Sequence, residues 1–376
     1  MKKVKVFLYV GFLLLCAAGC GREPIRLGFS GTLTGPYSDL GIHGRNGARM
    51  AVEDVNAAGG IHGRPLELIV VDDTGLPEGA VQADRDLASR GVVAIIGHMT
   101  SSLSMAALSV TRENGVPLIS PTTSTPLLRG QKDLFFRVYP ATDACARSLA
   151  RWVTGKPQIQ TVCTVRDLVN DAYTRPWETT FVEEYEGMAG SVSCRLAYNS
   201  LEPSFLKTLT ETLSKVKPDA VLFVSSARDT ALMVRALAEA EIPTLILSAG
   251  WAQTDALLAE VGPLATRLLI AADNPPIDTT ERLREFSWRY RKRFGIDPSF
   301  AAVRAYDAVN FLATALKEAK GRREQLPDTL SRPRTLDGLS GRIHIDAFGD
   351  ASGDFYIVAV RNGRFVVLEW MSGGMP

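Results

Sequence analysis

The chain has 376 residues, of which 46% are hydrophobic and 22% are charged, a balance typical of folded globular proteins. At about 150 residues per domain, this length predicts two or three domains, each large enough to bury its own core. The 42 Lys and Arg residues nearly match the 41 Asp and Glu residues, and the resulting net charge of +1 argues against nucleic-acid binding.

The first 19 residues have the pattern of an export signal. Three lysines precede a short apolar stretch, Val6 to Ala18, which is too short to span a bilayer comfortably. It runs into Cys16-Ala17-Ala18-Gly19-Cys20, which resembles a bacterial lipobox, although Ala17 replaces the usual leucine. We predict a lipoprotein signal peptide at 1–19, after which Cys20 carries a lipid and anchors the protein to a membrane. Plain secretory cleavage and an uncleaved anchor are the alternatives.

Besides Cys20, three cysteines lie beyond this leader, namely Cys145, Cys163 and Cys194. The last two fall in predicted strands of what could be one sheet. Two interpretations are open: Cys163 and Cys194 form a disulfide, or all three cysteines are small buried side chains. The four histidines are scattered, and no Cys or His pair has zinc-ligand spacing. We therefore predict no metal site and no cofactor.

The first part of the mature chain alternates between strand and helix patterns. Helices are predicted from Gly44 to Asn56, from Pro77 to Arg90 and after Thr100. The strands between them are predicted at Pro24 to Phe29, Leu66 to Val71, Gly91 to Ile96 and Val116 to Ser120. This alternation predicts a doubly wound α/β lobe with its parallel strands ending at one edge.

Hydroxyl side chains follow two neighbouring strands at that edge. Thr100, Ser101 and Ser102 stand where a helix begins, and the run Thr122-Thr123-Ser124-Thr125 follows the next strand. Free N–H groups in the first turn of a helix favour an anion. We therefore predict that the carboxylate of a small ligand binds between these loops, a simple helix cap or turn being the alternative.

A second series of the same kind starts near Thr142. Its strands are predicted at Ile159 to Val165, Ser191 to Tyr198, Ala220 to Val224, Thr244 to Leu247 and Leu268 to Ala271. Two strong helices, Thr280 to Phe294 and Phe300 to Lys320, follow, and the tail alternates like antiparallel strands joined by Asn362-Gly363. The sequence pattern thus predicts two α/β lobes. In the tail, Asp346, Asp350 and Asp354 lack the spacing of a calcium loop and are interpreted as turn residues.

A series of different short motifs follows one another along nearly the whole mature chain. They are Thr34-Gly35-Pro36, Asn46-Gly47-Ala48, Asn56 to Arg64, Asp72-Asp73, Ile96-Gly97-His98, Ile119-Ser120-Pro121, Tyr306 to Val309 and Phe348-Gly349-Asp350. In this order they resemble the type I periplasmic solute-binding proteins of the branched-chain amino-acid (Leu/Ile/Val) receptor class, the extracellular part of ABC importers. The resemblance implies two Rossmann-like lobes, 24–141 plus 275–345 and 142–274 plus 346–376, joined by a three-crossing hinge.

The same resemblance implies which residues contact the ligand. The carboxylate-holding serine of the family falls on Ser101, and the hydroxyl of its second loop falls on Ser124. The loop before Tyr173 is two residues longer than in amino-acid binders, which leaves Asn170 or Tyr173 to face the ligand. The full predicted set is Ser101, Ser102, Thr122, Ser124, Asn170, Tyr173, Ser226 and Trp251.

Departures from the family pattern bear on the ligand. The acidic residue that holds an α-ammonium falls on Gly250, and an aromatic position falls on Leu40, with Tyr37 nearby. Because a buried ammonium without a carboxylate costs several kcal/mol, such a site disfavours ordinary amino acids. Asp307 could replace the missing acid, or it could be a hinge or helix-surface residue. Trp251 is expected either to contact the body of the ligand or to belong to the core.

These patterns predict a binding protein rather than an enzyme. The sequence has no Gly-x-Ser-x-Gly motif, P-loop or paired-histidine metal motif. We expect a monomeric, lipid-anchored protein of the periplasm or cell surface. It would capture a small carboxylate-bearing ligand, either amino acid-like or an aromatic or aliphatic acid, and deliver it to ABC permease and ATPase subunits. The alternative is a ligand-sensing component of a signalling system, which neighbouring genes would distinguish.

Overall fold

The computed structural model describes residues 23–371, apart from residues 201, 203 and 278. The predicted signal peptide and Cys20 lie outside the described residues. Within them, strands and helices alternate as the sequence pattern predicts, and the strands assemble into two large sheets and one small sheet. No helix in this part of the chain is both long enough and apolar enough to cross a bilayer.

The first large sheet is wholly parallel, in the order β2-β1-β3-β4-β5. Its strands are β1 (Ile25–Gly31), β2 (Leu66–Asp72), β3 (Ile95–Ile96), β4 (Leu118–Ser120) and β5 (Phe135–Arg137). The helices that connect the first four are α1 (Ser38–Ala57), α2 (Pro77–Ser89) and α3 (Ser101–Asn114). Four of these strands are predicted from the sequence, and β5 is an addition. Their carboxyl ends share one edge of the sheet, which is where ligands bind in such folds.

The second large sheet has the order β15-β14-β10-β9-β8-β6-β7. Its parallel strands are β6 (Thr161–Asp167), β7 (Ser191–Tyr198), β8 (Ala220–Val224), β9 (Leu245–Ala249) and β10 (Leu268–Ala272). Around them lie α4 (Asp143–Thr154), α5 (Asp171–Gly187), α6 (Phe205–Val216), α7 (Ala227–Glu239) and α8 (Asp255–Val261). Together the two sheets confirm the predicted doubly wound α/β class.

Helices α9 (Glu281–Phe294) and α10 (Phe300–Glu318) return to the first sheet. There α10 packs against α1 so closely that a Cβ added at Gly47 would lie 2.0 Å from the carbonyl oxygen of Ala302. The chain continues through α11 (Leu326–Leu330) into a small antiparallel sheet of β11 (Arg334–Gly338), β12 (Gly341–Ile345) and β13 (Ala351–Ser352).

The tail ends in an antiparallel hairpin on the edge of the second sheet. Its strands are β14 (Phe355–Arg361) and β15 (Arg364–Met371), and Asn362 and Gly363 between them both have positive φ, as the predicted two-residue turn requires. The aspartates before the hairpin act as turn and ion-pair residues. Asp346 accepts hydrogen bonds from the backbone N–H groups of Phe348 and Asp350, and Asp350 pairs with the buried Arg137.

The two large sheets face each other across a closed cleft. The chain passes from one side to the other between β5 and α4, between β10 and α9, and between β12 and β14. The Tyr37 hydroxyl donates to Asp167 at 3.0 Å across the cleft. Ser102 makes two further bonds, from its N–H to Asn170 Oδ1 at 3.2 Å and from the Ala172 N–H to its own Oγ at 3.3 Å. These bonds hold α3 against the start of α5.

A disulfide joins Cys163 on β6 to Cys194 on the adjacent edge strand β7. Of the two readings that the sequence leaves open, the bonded pair is therefore the one found. Cys145, on α4, is a buried free thiol.

Candidate functional site

A small cavity lies where the carboxyl ends of strands from both sheets meet. Ser101 follows β3, Ser124 follows β4 and Tyr139 follows β5, so three neighbouring strand ends of the first sheet supply one wall. The second sheet contributes Asn170 and other residues after β6 and β9. The lining consists of Leu40, Met99, Thr100, Ser101, Thr122, Ser124, Tyr139, Asn170, Tyr173, Trp251 and Phe300.

Hydroxyl groups form one end of this cavity. Ser101 is the first residue of α3, and its Oγ accepts a hydrogen bond from the Ser124 N–H at 3.3 Å. The Thr122 hydroxyl donates to the Met99 carbonyl at 2.7 Å, so its proton is already used. Because an accepted bond leaves a hydroxyl proton free, Ser101 can still donate to a ligand oxygen. This end of the cavity therefore suits an acceptor such as a carboxylate, next to the positive end of a helix.

A buried ion cluster fixes the loop that carries Ser101. His98 Nδ1 lies 2.8 Å from Asp73 and Nε2 lies 3.1 Å from Asp84, with all three side chains fully buried. Burial opposes the charged imidazolium, but the carboxylates of Asp84 and Asp73 raise the pKa of His98 to about 10. The His98 carbonyl also accepts from the Ser120 hydroxyl at 2.9 Å, which ties the two hydroxyl loops together.

Aromatic rings form much of the remaining lining. Tyr173 meets Trp251 edge to face, with ring centroids 5.8 Å apart, and Tyr37 packs behind Trp251 at 5.4 Å. Tyr139 and Phe300 pack together at 6.1 Å. None of the residues that line the cavity is charged. The walls thus favour an apolar or aromatic body, and they present no carboxylate to an ammonium group.

Six of the eight predicted ligand contacts line this cavity, and two do not. Ser226 begins α7 instead, where its Oγ accepts from the Asp229 N–H at 3.1 Å as an N-cap. The Ser102 side chain bonds across the cleft to Ala172 rather than lining the cavity. The structure thus places these two hydroxyls in bonds within the protein, a role that the sequence pattern does not distinguish from ligand contact.

Asp307 does not replace the acid missing at Gly250. It lies on α10 and accepts from the Leu339 N–H at 3.0 Å, beside a separate surface cavity near α9. Burial raises its pKa to about 6. The acid nearest to Gly250 is Asp273, since a Cβ added at Gly250 would lie 3.5 Å from Asp273 Oδ2.

Sequence reasoning missed several residues of the site. Met99, Tyr139 and Phe300 line the cavity but read as core residues, because an apolar cavity wall has the same composition as a core. Asp273 reads as part of a turn before Pro275-Pro276, although it is only 3% exposed. Its position directly after β10, at the ligand edge of the sheet, is the signal that could have identified it. Among the described residues, no group of three or more His, Cys, Asp or Glu is arranged to hold a metal ion.

Two large sheets closing on a cleft, with hydroxyl loops at the strand ends, define a ligand-binding protein of the two-lobed type. The chain belongs to the periplasmic binding protein family, whose model matches residues 24–364. The class predicted from the sequence, a solute-binding protein of ABC transporters rather than an enzyme, is thereby confirmed.

The relatives agree with this assignment. The chain is 24% identical to the leucine-, isoleucine-, valine-, threonine- and alanine-binding protein of Pseudomonas aeruginosa over 352 residues, which are 93% of this chain and 90% of the relative. A leucine-binding protein from Thermotoga maritima has a TM-score of 0.84 at 24% identity, covering 93% of this chain and 99% of the other. An ABC transporter solute-binding protein from R. palustris in complex with benzoate also has a TM-score of 0.84, at 21% identity, covering 93% and 97%.

Proposed function

We propose that this protein captures a small carboxylic acid that lacks an α-ammonium group and delivers it to the permease of an ABC importer. The observation that supports this ligand class is the asymmetry of the cavity. Hydroxyl groups and a helix start at one end suit a carboxylate, and the remainder is uncharged and, apart from the Asn170 amide, aromatic or aliphatic. Some relatives bind benzoate and others bind leucine, so both kinds of ligand are candidates. The missing acid at Gly250 favours a ligand like benzoate, which has no ammonium group.

Capture follows from the two-lobed architecture. The lobes, taken as residues 24–141 plus 275–345 and 142–274 plus 346–376, would move about the three hinge segments. A ligand held by Ser101 and Ser124 on one lobe is enclosed when Asn170, Tyr173 and Trp251 of the other close over it. The closed form, which the cross-cleft bonds of Tyr37 and Ser102 stabilise, is the one that the permease and its ATPase subunits would recognise.

The N-terminal Cys20 would carry the lipid that keeps this receptor at the membrane, in the periplasm or at the cell surface, where it acts as a monomer. Its sequence context, a lysine-rich start and a short apolar stretch, supports this proposal. Mass spectrometry of the protein extracted from membranes tests it, since a Cys20→Ser variant should lack the added lipid mass and leave the membrane fraction.

A thermal-shift screen tests the ligand class. The protein without its leader is mixed with aromatic acids, short-chain aliphatic acids, ordinary amino acids and the amides of the same acids. Tight ligands raise the melting temperature because they bind only the folded state. We expect shifts from carboxylic acids and none from their amides or from amino acids. Micromolar binding of leucine or glutamate would overturn the proposed ligand class, and no shift from any acid would overturn the carboxylate site.

A further inference from the structure

We propose that the ligand carries a hydroxyl group at the end remote from its carboxylate, and that Tyr139, positioned by Asp273, accepts a hydrogen bond from it. This inference rests on the proposed function and refines its ligand class. It assigns Tyr139 to the ligand and makes Asp273 a positioning residue behind it.

Tyr139 stands at the right place in the sheet for such a contact. It follows β5, whereas Ser124 follows the neighbouring β4 and Ser101 follows β3. With strands about 4.8 Å apart, the Ser101 and Tyr139 strand ends are separated by about 10 Å, and all three residues line the same cavity. A ligand whose carboxylate lies at Ser101 and Ser124 therefore directs its far end towards Tyr139.

Two neighbouring residues, Asp273 and Asn274, determine whether the Tyr139 hydroxyl can donate or accept a further hydrogen bond. It donates its only proton to Asp273 Oδ2 at 3.2 Å and accepts from Asn274 Nδ2 at 3.1 Å. A phenol oxygen has two lone pairs, so one acceptor site remains and no donor. While Asp273 is ionised, Tyr139 can therefore accept a hydrogen bond from a ligand hydroxyl but has no proton to donate. A plain hydrocarbon end would leave this acceptor unused in a buried site.

The protein satisfies the Asp273 carboxyl only in part, through hydrogen bonds from the Tyr139 hydroxyl and the Cys145 thiol. Asp273 is 3% exposed, and its Oδ1 has no hydrogen-bond partner among the described residues. The nearby Arg304 does not fill this role, because its bonds go to the Asn274 side chain and to the backbone carbonyls of Asp273 and Val138. Gly250 adds no side chain beside the carboxyl, whose Oδ2 would lie 3.5 Å from a Cβ there. A buried acid in this state is expected at a functional position.

The charge state of Asp273 should make the affinity for a hydroxylated ligand depend on pH. Burial raises its pKa to about 7, and the groups that face it are the Tyr139 and Tyr173 hydroxyls, the Cys145 thiol and the Arg304 guanidinium. Because an ionised Asp273 pulls more strongly on the Tyr139 proton, it makes the Tyr139 oxygen a better acceptor. The advantage of a ligand hydroxyl should therefore grow as the pH rises through about 7.

An ammonium group is the other donor that a ligand could present, and the site argues against it. No carboxylate lines the cavity, and the Asp273 carboxyl lies behind Tyr139 rather than at the surface of the cavity. A hydroxyl requires no counter-charge and is therefore the group that fits an uncharged wall with one free acceptor.

Isothermal titration calorimetry with benzoate and 4-hydroxybenzoate tests this inference on the leaderless protein. Both probes remain monoanionic near neutral pH and differ only in the distal hydroxyl. We expect 4-hydroxybenzoate to bind about three- to tenfold more tightly, as one added hydrogen bond implies. In Tyr139→Phe this preference should disappear. In Asp273→Asn the preference should lose its pH dependence between pH 6 and pH 8, a change that a purely structural role would not produce.

A matched control separates these effects from general damage. Tyr198 is another buried tyrosine that donates to a buried aspartate, Asp229, at 3.0 Å, and it lies outside the cavity. Tyr198→Phe should keep both the hydroxyl preference and its pH dependence. Equal affinity for the two probes in the wild type, a preference that survives in Tyr139→Phe, or binding of neither probe would each overturn the inference. The proposed function would stand in all three cases if other acids bind in its own screen.

Discussion

The Ser101 hydroxyl is placed to donate to a ligand carboxylate, and its removal has a predictable cost. A hydrogen bond to a charged group contributes about 1.5–3 kcal/mol, so Ser101→Ala should weaken binding of the captured acid by about 10- to 100-fold. Calorimetry of the variant measures this loss. Ser226→Ala is the matched control, since it removes a buried hydroxyl that caps α7 outside the cavity. It should lower stability by about 1 kcal/mol and leave the affinity unchanged. Wild-type affinity in Ser101→Ala would show that the carboxylate binds elsewhere.

His98 makes the stability of the protein depend on alkaline pH. Its pKa of about 10 in the folded protein lies above the ordinary value of 6.5. The stabilisation is therefore complete below pH 6.5 and declines as the pH rises towards 10. We expect the free energy of unfolding, measured with urea, to fall over this range.

His98→Gln tests whether that cluster causes the decline. The variant should be less stable at pH 6, because Asp73 and Asp84 lose their buried cation, and its stability should change less between pH 7 and pH 10. His344→Gln, which alters a histidine on the small sheet, should leave the wild-type slope intact. An unchanged slope in His98→Gln would mean that other groups titrate in this range.

At the scale of elements, the contact between α1 and α10 is set by a glycine. A Cβ at Gly47 would lie 2.0 Å from the Ala302 carbonyl oxygen, so the helices can approach only because that side chain is absent. Gly47→Ala should destabilise the protein by about 1–3 kcal/mol, despite the higher helix propensity of alanine. Gly187→Ala, at the end of α5 with no atom near the added Cβ, should be neutral or slightly stabilising. Chemical denaturation compares the two. Equal stabilities would show that the helices separate at little cost.

The sequence predicts the elements well where hydrophobic periodicity is strong and fails where elements are short. Most strands of the two parallel series follow from apolar β-branched runs. The three-residue β5 does not, because Phe135-Phe136-Arg137 ends in a charge that is buried through its bonds to Asp350 and to the Thr125 carbonyl. The strand β11 is also missed, since Arg334–Gly338 alternates on an exposed small sheet and contains two charged residues.

Some residues of the candidate site are likewise predictable from the sequence, and others are not. Ser101 and Ser124 are predictable because hydroxyls at neighbouring strand ends meet by topology alone. Tyr139 and Phe300 are not, because whether an aromatic ring faces a cavity or the core depends on packing between lobes that are distant in sequence. Ser226 shows the reverse case, since a strand-end hydroxyl can satisfy its own helix instead of a ligand.

For the whole molecule, the proposed closure is stabilised by polar bonds between the two sides of the cleft, and Tyr37 makes one of them. Its hydroxyl donates to Asp167 on the opposite lobe at 3.0 Å, outside the cavity lining. Tyr37→Phe should shift the population towards an open form and weaken the apparent affinity by about two- to tenfold. Small-angle scattering should show a larger radius of gyration for the ligand-free variant than for the wild type.

A tyrosine within one lobe provides the control for closure. Tyr306 donates to Asp54 at 2.8 Å, and both residues lie on helices of the first lobe. Tyr306→Phe removes a bond of the same chemistry without touching the cleft, and it should change neither the radius of gyration nor the affinity. If both variants behave alike, the Tyr37 bond does not contribute to closure.

The disulfide between β6 and β7 has a consequence for how the protein is made. The bond fastens the outermost strand of the second sheet to its neighbour, and edge strands left loose invite pairing with other chains. Thiols stay reduced in the cytosol and are oxidised after export. Protein prepared inside the cytosol of an expression host and protein recovered after secretion are therefore two chemical species with one sequence. The first is expected to have the greater tendency to aggregate during purification, and affinities should be compared only between preparations of the same oxidation state.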